Sequence, residues 1–194
     1  METVDLQSDL LSNGPRIQRI MILGSGGSGK STLARRLAAV SSLPIHHLDR
    51  LYWKPGWVAA DPYEWHTSVS ELAAEPRWII DGNYGDTMDC RLDRADIVAF
   101  LDVPRSVCLC RIVGRWAMAH GRVRDDVGAG CPEKLDPEFI RWVWNYPNFS
   151  RRILLTRVEH ANSNGQFFHL HSSGDVDRFV AAVAARAKRD TVAV

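Results

Sequence analysis

The chain has 194 residues, of which 45% are hydrophobic and 24% charged, with a formal net charge of +1 and a pI near 7.8. A chain of this length buries a sizeable core without cross-links, and its composition excludes disordered and fibrous classes. The near-neutral charge gives no general attraction to nucleic acid or anionic membrane, and no apolar run approaches the ~20 residues of a membrane span. A cytoplasmic protein without membrane contact is expected; its oligomeric state is not legible. Four cysteines, Cys90, Cys108, Cys110 and Cys131, form no paired C-x₂-C cluster. They read as free thiols of a reducing compartment, with Cys131, between Gly130 and Pro132, the expected exposed one.

In chain order, Met1 to Asn13 carries Glu2, Asp5 and Asp9 and no basic stretch. It reads as part of an N-terminal extension over residues 1–16 rather than a secretory signal, ahead of a single domain over 17–190. Ile20 to Leu23 is a continuous apolar run suited to a strand buried on both faces. A helix follows from about Lys30 to Val40, with Leu33, Leu37 and Val40 at helical spacing. A second strand is expected over Pro44 to Leu48, then an aromatic-rich loop from Arg50 to Ala60 with a turn at Pro55-Gly56. Asp61 is placed to cap a helix that Pro62 opens and that stops before Pro76. Trp78 to Ile80 and Ile97 to Leu101 are the third and fourth strands, and a helix is expected from Arg105 to Ala119.

Gly121 to Pro132 carries Arg122, Arg124, Asp125, Asp126, glycines and a proline, and reads as a mobile charged flap. Asp136-Pro137-Glu138 starts another helix, which Pro147 should kink or interrupt. Phe167 to Leu170 is the fifth strand. Asp175 then caps a last amphipathic helix with Val176, Phe179, Val180 and Val183 inward. Apolar strands alternating with helices predict a parallel sheet with crossover helices.

The strongest motif is Gly24-Ser25-Gly26-Gly27-Ser28-Gly29-Lys30-Ser31, followed by Thr32. It fits G-x-x-x-x-G-K-[ST] at every fixed position, between an apolar strand and a helix. A glycine-rich turn can present backbone N–H groups to phosphates at close range, and the helix N-terminus adds partial positive charge. Lys30 would bridge the β- and γ-phosphates of ATP, and the Ser31 hydroxyl would ligate Mg²⁺. Three strands end in an acid: Asp49, Asp81 and Asp102. Ligands of open α/β sheets bind at the carboxyl ends of the strands. Asp81, preceding Gly82, is the expected Mg²⁺-side carboxylate.

The chain also resembles adenylate-kinase-related P-loop proteins. Asp81-Gly82-Asn83-Tyr84 is similar to the Asp-Gly-Phe-Pro segment of nucleoside monophosphate kinases. Asp102-Val103-Pro104 with Arg111-Ile112-Val113-Gly114-Arg115 is similar to the arginine helix leading into their lid. A narrower resemblance is to the bacterial DNA topology modulation proteins. It is carried by Leu48 to Trp57, by Trp78 to Tyr84 and by Gly130-Cys131-Pro132-Glu133-Lys134.

The resemblance implies a three-layer, adenylate-kinase-like P-loop NTPase fold. Its five-stranded parallel sheet would have the order 2-3-1-4-5, with a short lid over about 120–133. It also implies ATP binding. Arg111 and Arg115 would face the phosphates from the helix, and Arg122 and Arg124 would close from the lid, where planar guanidinium groups meet the charge of phosphoryl transfer. Physically, transfer of this kind needs positioning and electrostatics rather than a covalent intermediate.

The acceptor side departs from the nucleoside monophosphate pattern and offers Asp49, Tyr52, Trp53, Trp57 and Trp65. Asp49 could orient or deprotonate an acceptor hydroxyl, and Tyr52 and Trp53 could stack on a planar ring or simply pack the loop. Arg91 reads equally as a partner for an acceptor phosphate or as a surface residue. His46 and His47 are expected to pack or hydrogen-bond rather than bind metal, and His169 and His171 share one face with no third ligand in view. Trp142, Trp144 and Tyr146 read as packing, and Arg151, Arg152 and Arg157 as a solvated face, one of which could reach ATP when the lid shuts. The leading functional reading is an ATP- and Mg²⁺-dependent phosphotransferase acting on a small-molecule acceptor. The alternative is an ATP-binding regulator of DNA topology or gene expression with little catalysis. The dispersed arginines argue against direct DNA binding.

Overall fold

The computed structural model describes residues 16–119, 121–161 and 166–192. The extension expected over 1–16 lies, apart from Arg16, outside the described residues. Strand β1 (Arg19–Gly24) leads through the glycine loop into helix α1 (Lys30–Ser41). Strand β2 (Ile45–His47) follows, then helix α2 (Leu48–Tyr52) and a hairpin of β3 (Trp53–Lys54) and β4 (Val58–Ala59). Helix α3 (Pro62–Ala74), strand β5 (Trp78–Asp81), a 3₁₀ turn (Gly85–Thr87) and helix α4 (Met88–Leu92) come next. Strand β6 (Ile97–Leu101) precedes α5 (Arg105–Ala119), α6 (Pro137–Asn145), α7 (Ser150–His160), strand β7 (Gln166–Leu170) and α8 (Ser173–Val192).

Strands β2-β5-β1-β6-β7 form a wholly parallel sheet, which in chain order of its five strands is the expected 2-3-1-4-5. Alternation along each strand divides the core between the two faces. Ile20, Ile22, Ile79, Ala99 and Phe168 meet Leu33 and Leu37 of α1 and Phe179 and Val183 of α8. Met21, Leu23, Trp78, Ile80 and Phe100 meet Trp65 and Val69 of α3 and Leu154 and Val158 of α7. The result is a helix–sheet–helix sandwich. Because all its crossovers leave from one end, the glycine loop and the segments after β2, β5 and β6 share the carboxyl edge of the sheet.

The helix caps follow the expected chemistry. Asp61 accepts from the amides of Tyr63 and Glu64 at 2.9 and 3.1 Å, and Asp136 accepts from those of Glu138 and Phe139. Pro147 falls in the break between α6 and α7. Asp175 lies inside the first turn of α8 instead of before it, where its carboxylate accepts from the amides of His171 and Ser172.

Three expectations are corrected. The loop from Arg50 to Ala60 contains the end of α2 and the hairpin, so Asp49 sits in the first helical turn and not at the end of an extended strand. Cys131 is buried, and its thiol points at the Lys54 carbonyl 3.1 Å away; the exposed thiol is Cys110. Arg91 is neither a phosphate ligand nor a surface group: none of it is exposed. Its Nε donates to Thr87 O, Nη1 to Gly82 O, and Nη2 to Asn83 O and Tyr84 O, at 2.6–2.9 Å. Burial lowers its pKa to about 10. A guanidinium satisfied only by backbone carbonyls holds the turn after β5 in one shape. Arg91→Ala leaves the Gly82 and Asn83 carbonyls without this donor, while Tyr84 O keeps the Thr87 amide and Thr87 O the Cys90 thiol; urea unfolding should register a loss of about 3 kcal/mol, which Arg91→Lys, with fewer donors, restores only in small part.

Candidate functional site

The glycine loop turns because glycine occupies its left-handed positions. Gly27 has φ of +74°, and a Cβ there would lie 2.5 Å from the Cys108 carbonyl of α5. Lys30 folds back so that its ammonium donates to Gly24 O and Ser25 O, both at 3.0 Å. Arg111 reaches from α5 and donates from Nη1 to Ser28 O at 3.1 Å. The hydroxyls of Ser25 and Ser28 are buried without a hydrogen-bond partner. The loop is anchored from the sheet side by Asn83, whose Oδ1 accepts from the Gly24 amide at 3.0 Å.

Two cavities adjoin this loop. The first, about 530 Å³, is lined by Gly26, Gly27 and Gly29 to Thr32 of the loop, Arg35, Arg111 and Arg115 on helices, and three carboxylates, Asp49, Asp125 and Asp126. The second, about 520 Å³, is walled by aromatic rings: Trp53 and Trp57 of the hairpin, Tyr84 of the turn after β5, and Phe139 and Trp142 of α6. Gly26, Lys30, Asp49, Arg115, Arg124 and Phe139 face both. Asp49 accepts a 2.6 Å hydrogen bond from the Tyr84 hydroxyl. Burial first, and then the charge and hydrogen bond of Asp49, push the Tyr84 phenol well above its ordinary pKa, so it stays a donor.

The predicted acids separate here. Asp81 lines neither cavity; it is buried, and His47 Nδ1 lies 2.8 Å from its Oδ1. Burial opposes the imidazolium, but the hydrogen bond and charge of Asp81, with Asp126 beyond, raise the His47 pKa above its ordinary 6.5. Asp102 also stays outside the cavities. Arg151 grips it at 2.7–3.0 Å and His169 lies 2.6 Å away. Burial resists the charge of Asp102, yet His169 and Arg151 hold its carboxyl far below the usual range. The ring nitrogens of His169 and His171 and an Asp102 oxygen all lie within 4.8 Å of one another, so a third ligand atom is present after all. The Arg151 guanidinium against the same carboxylate makes the cluster an ion-pair network. His46 stands beside Glu75 at 3.2 Å. His47 thus hydrogen-bonds as expected, whereas His46 Nε2 is buried near Glu75 without a hydrogen bond.

The flap is tied down rather than loose. Gly56 N donates to Gly130 O at 2.9 Å, and Trp57 Nε1 donates to Pro132 O at 3.0 Å. Val123 and Pro132 form a β-bridge across its neck. It carries two buried carboxylates that the sequence did not single out as site residues. Glu133 accepts from Arg115 Nε at 2.9 Å and forms an ion pair with Arg124, whose Nε lies 2.8 Å away. Asp126 pairs with Arg124 at 3.1 Å and lines the same cavity as Ser31. Burial raises the Asp126 pKa, but Arg124 and then Ser31 lower it to a net value below normal. Of the flap arginines, Arg124 therefore enters the site. Arg122 is exposed and lines neither cavity. Trp142 also departs from the packing expected of it, being 40% exposed on the aromatic wall. Trp144 lies outside, under the Arg105 guanidinium at 4.0 Å, and Tyr146 is buried as expected.

Fold and loop together define a three-layer α/β architecture with a P-loop after its first strand. No protein-family model and no curated protein matches the chain. Among solved structures it is similar to a shikimate kinase from Bacteroides thetaiotaomicron, with a TM-score of 0.50 and 17% identity over 92% of this chain and 99% of that one. A shikimate kinase from Aquifex aeolicus gives 0.50 at 14% identity, covering 90% and 98%. A candidate kinase from Chloroflexus aurantiacus gives 0.52 at 14%, with the same coverage. At these identities the likeness is one of fold. Among the described residues, no helix is long and apolar enough to cross a membrane.

Two outcomes test this geometry. A Cβ at Gly128 would lie 1.9 Å from the Trp53 carbonyl. Gly128→Ala should therefore lift the flap from the hairpin and speed tryptic cleavage after Arg122 and Arg124 in a time course. The raised pKa of His47 means that its pairing with Asp81 contributes fully below the unfolded value of 6.5. That contribution is lost as pH rises through the folded value. The stability difference between wild type and His47→Asn should thus shrink in urea titrations taken from about pH 5 to about pH 9.

Proposed function

We propose that this protein is an ATP-dependent phosphotransferase for a small molecule, of the same class as the kinases that share its fold. The reading rests on one observation: Lys30 and Asp49 stand on the wall common to the glycine-loop cavity and the aromatic cavity. A phosphate donor on one side and an acceptor hydroxyl on the other would meet there.

The loop residues fit a polyphosphate. Gly26, Gly27 and Gly29 to Thr32 line the first cavity, and the turn that presents their amides needs glycine at 27, where a Cβ would lie 2.5 Å from the Cys108 carbonyl. Backbone amides from Gly26 to Thr32, with Lys30, would hold the phosphates. Arg111, Arg115 and Arg124 would screen charge developing on the equatorial oxygens. Ser31 with the nearby carboxylates offers hard oxygen donors that fit Mg²⁺, which would draw charge from the phosphate oxygens when bound. Asp126, which lines the same cavity as Ser31, is placed for that role, whereas Asp81, paired with His47, is not.

Asp49 would take the acceptor proton. As the acceptor oxygen bonds to the γ-phosphorus, the bond to the bridging oxygen breaks and its electron pair leaves on ADP. The proton passes through Asp49 to solvent. The flap would shield this step from water, limiting wasteful hydrolysis. If the resemblance to the DNA topology modulation proteins holds, the effect that names them would be a consequence of this chemistry in the cytoplasm. Direct DNA contact is disfavoured, since Arg115, Arg124 and Arg151 are held in ion pairs.

The test is ADP release with and without a panel of acceptors. Stimulation by an acceptor is expected. Lys30→Ala and Asp49→Asn should each lower the stimulated rate by about a hundredfold or more, with nucleotide binding weakened chiefly in the first. A rate indifferent to every acceptor would remove the proposal.

A further inference from the structure

The aromatic cavity carries more information than its place beside the glycine loop. Its wall draws on three separate segments. Trp53 and Trp57 come from the hairpin with ring centroids 5.7 Å apart, and Phe139 and Trp142 come from α6, stacked 5.9 Å apart. Tyr84 comes from the turn after β5. Phe139 and Trp142 are 36% and 40% exposed. Aromatic surface left uncovered by its own chain and gathered around a concavity marks a site for an apolar, ring-bearing ligand.

The charges on the same wall narrow the class. Each cation there already faces a partner: Lys30 the carbonyls of Gly24 and Ser25, Arg115 Glu133, and Arg124 Glu133 and Asp126. Lys134 stands 3.3 Å from Asp136. When a triphosphate enters the neighbouring cavity, Lys30 and the two guanidiniums are the groups it would draw. The acceptor side is then left with Asp49, Glu133, Glu138 and the Lys134–Asp136 pair, so its acids outnumber its one cation. A carboxylate or phosphate on the acceptor would be desolvated against these acids with only the already paired, half-exposed Lys134 to offset the cost. A neutral hydroxyl suits Asp49, which can accept its hydrogen bond.

We infer that the acceptor is an uncharged alcohol built on a planar ring, of nucleoside size, and not a nucleotide, sugar acid or other anionic acceptor. The inference rests on the phosphotransferase reading and specifies the substrate of that site. The ring would lie among Trp53, Trp57 and Trp142. Its hydroxyl would point to Asp49 and the end of the phosphate chain, where the transfer written above proceeds with the same balance of bonds and proton.

The experiment uses the full chain with Mg²⁺ and an unhydrolysable ATP analogue for binding, and with ATP for turnover. Adenosine and cytidine are compared with AMP, CMP and shikimate, reading tryptophan fluorescence, thermal shift and ADP release. At least one nucleoside should quench fluorescence and stimulate ADP release, with apparent affinity at least about tenfold above that of its own monophosphate. Trp53→Phe should remove much of the quench while leaving the thermal midpoint of the ligand-free protein close to wild type. Glu133→Gln, which releases two guanidiniums, should narrow the gap between nucleoside and monophosphate. Turnover stimulated only by AMP, CMP or shikimate overturns the inference and leaves the phosphotransferase reading standing. Nucleoside quenching without stimulated turnover supports the ring site and overturns the phosphotransferase reading. Neither response to any compound overturns both.

Discussion

The site is organised around one buried cation. Arg91 lies entirely inside the protein and holds the carbonyls of Gly82, Asn83, Tyr84 and Thr87. The turn so fixed does three things at the carboxyl edge of the sheet. Asn83 anchors the first amide of the glycine loop, Tyr84 donates to Asp49, and the Tyr84 ring becomes part of the aromatic wall. The glycine loop, Asp49 and the aromatic cavity thus depend on a guanidinium that lines neither cavity. Five donors in a rigid fork can satisfy several carbonyls of one tight turn at once, which no other side chain can do.

Around this fixed edge the charges form a closed circuit. Glu133 and Asp126 come from the flap and hold Arg115 and Arg124; Asp126 also lines the same cavity as Ser31. The flap is attached in turn to the hairpin that supplies Trp53 and Trp57, through Gly130, Pro132 and the buried Cys131. Flap and hairpin therefore belong to one packed unit, so a change that frees the flap also disturbs the aromatic wall. Competition between phosphate oxygens and these carboxylates for the same guanidiniums would couple nucleotide binding to the state of that unit.

What could be read from the sequence and what could not divides along range. Runs such as Ile20 to Leu23 and Ile97 to Leu101, caps such as Asp61 and Asp136, and the break at Pro147 depend on neighbours a few residues away, and they were legible. The glycine loop was legible for the same reason: its spacing is itself the chemistry. Asp49, Arg115 and Arg124 could be put forward from position, and they do line the cavities. Asp81 and Cys131 were misplaced because their partners lie 34 and 77 positions away, Arg91 because a folded turn carries no periodic signal, and Arg122 because it stays exposed while Arg124 turns to the acids. Glu133 and Asp126 were overlooked since a carboxylate in a charged loop looks like solvated surface until its partners are known.

The sequence by itself determined a parallel α/β sheet with a phosphate-binding loop after its first strand, since periodicity and a contiguous motif encode both. Only the tertiary structure decided which of the three aspartates faces the cavities. His47 closes over Asp81, and Arg151 with His169 closes over Asp102, while Asp49 stays open to both cavities. The physical reason is that an acid's role depends on which cations and donors the fold brings within hydrogen-bonding distance, and for Asp81 and Asp102 those come from other strands and helices.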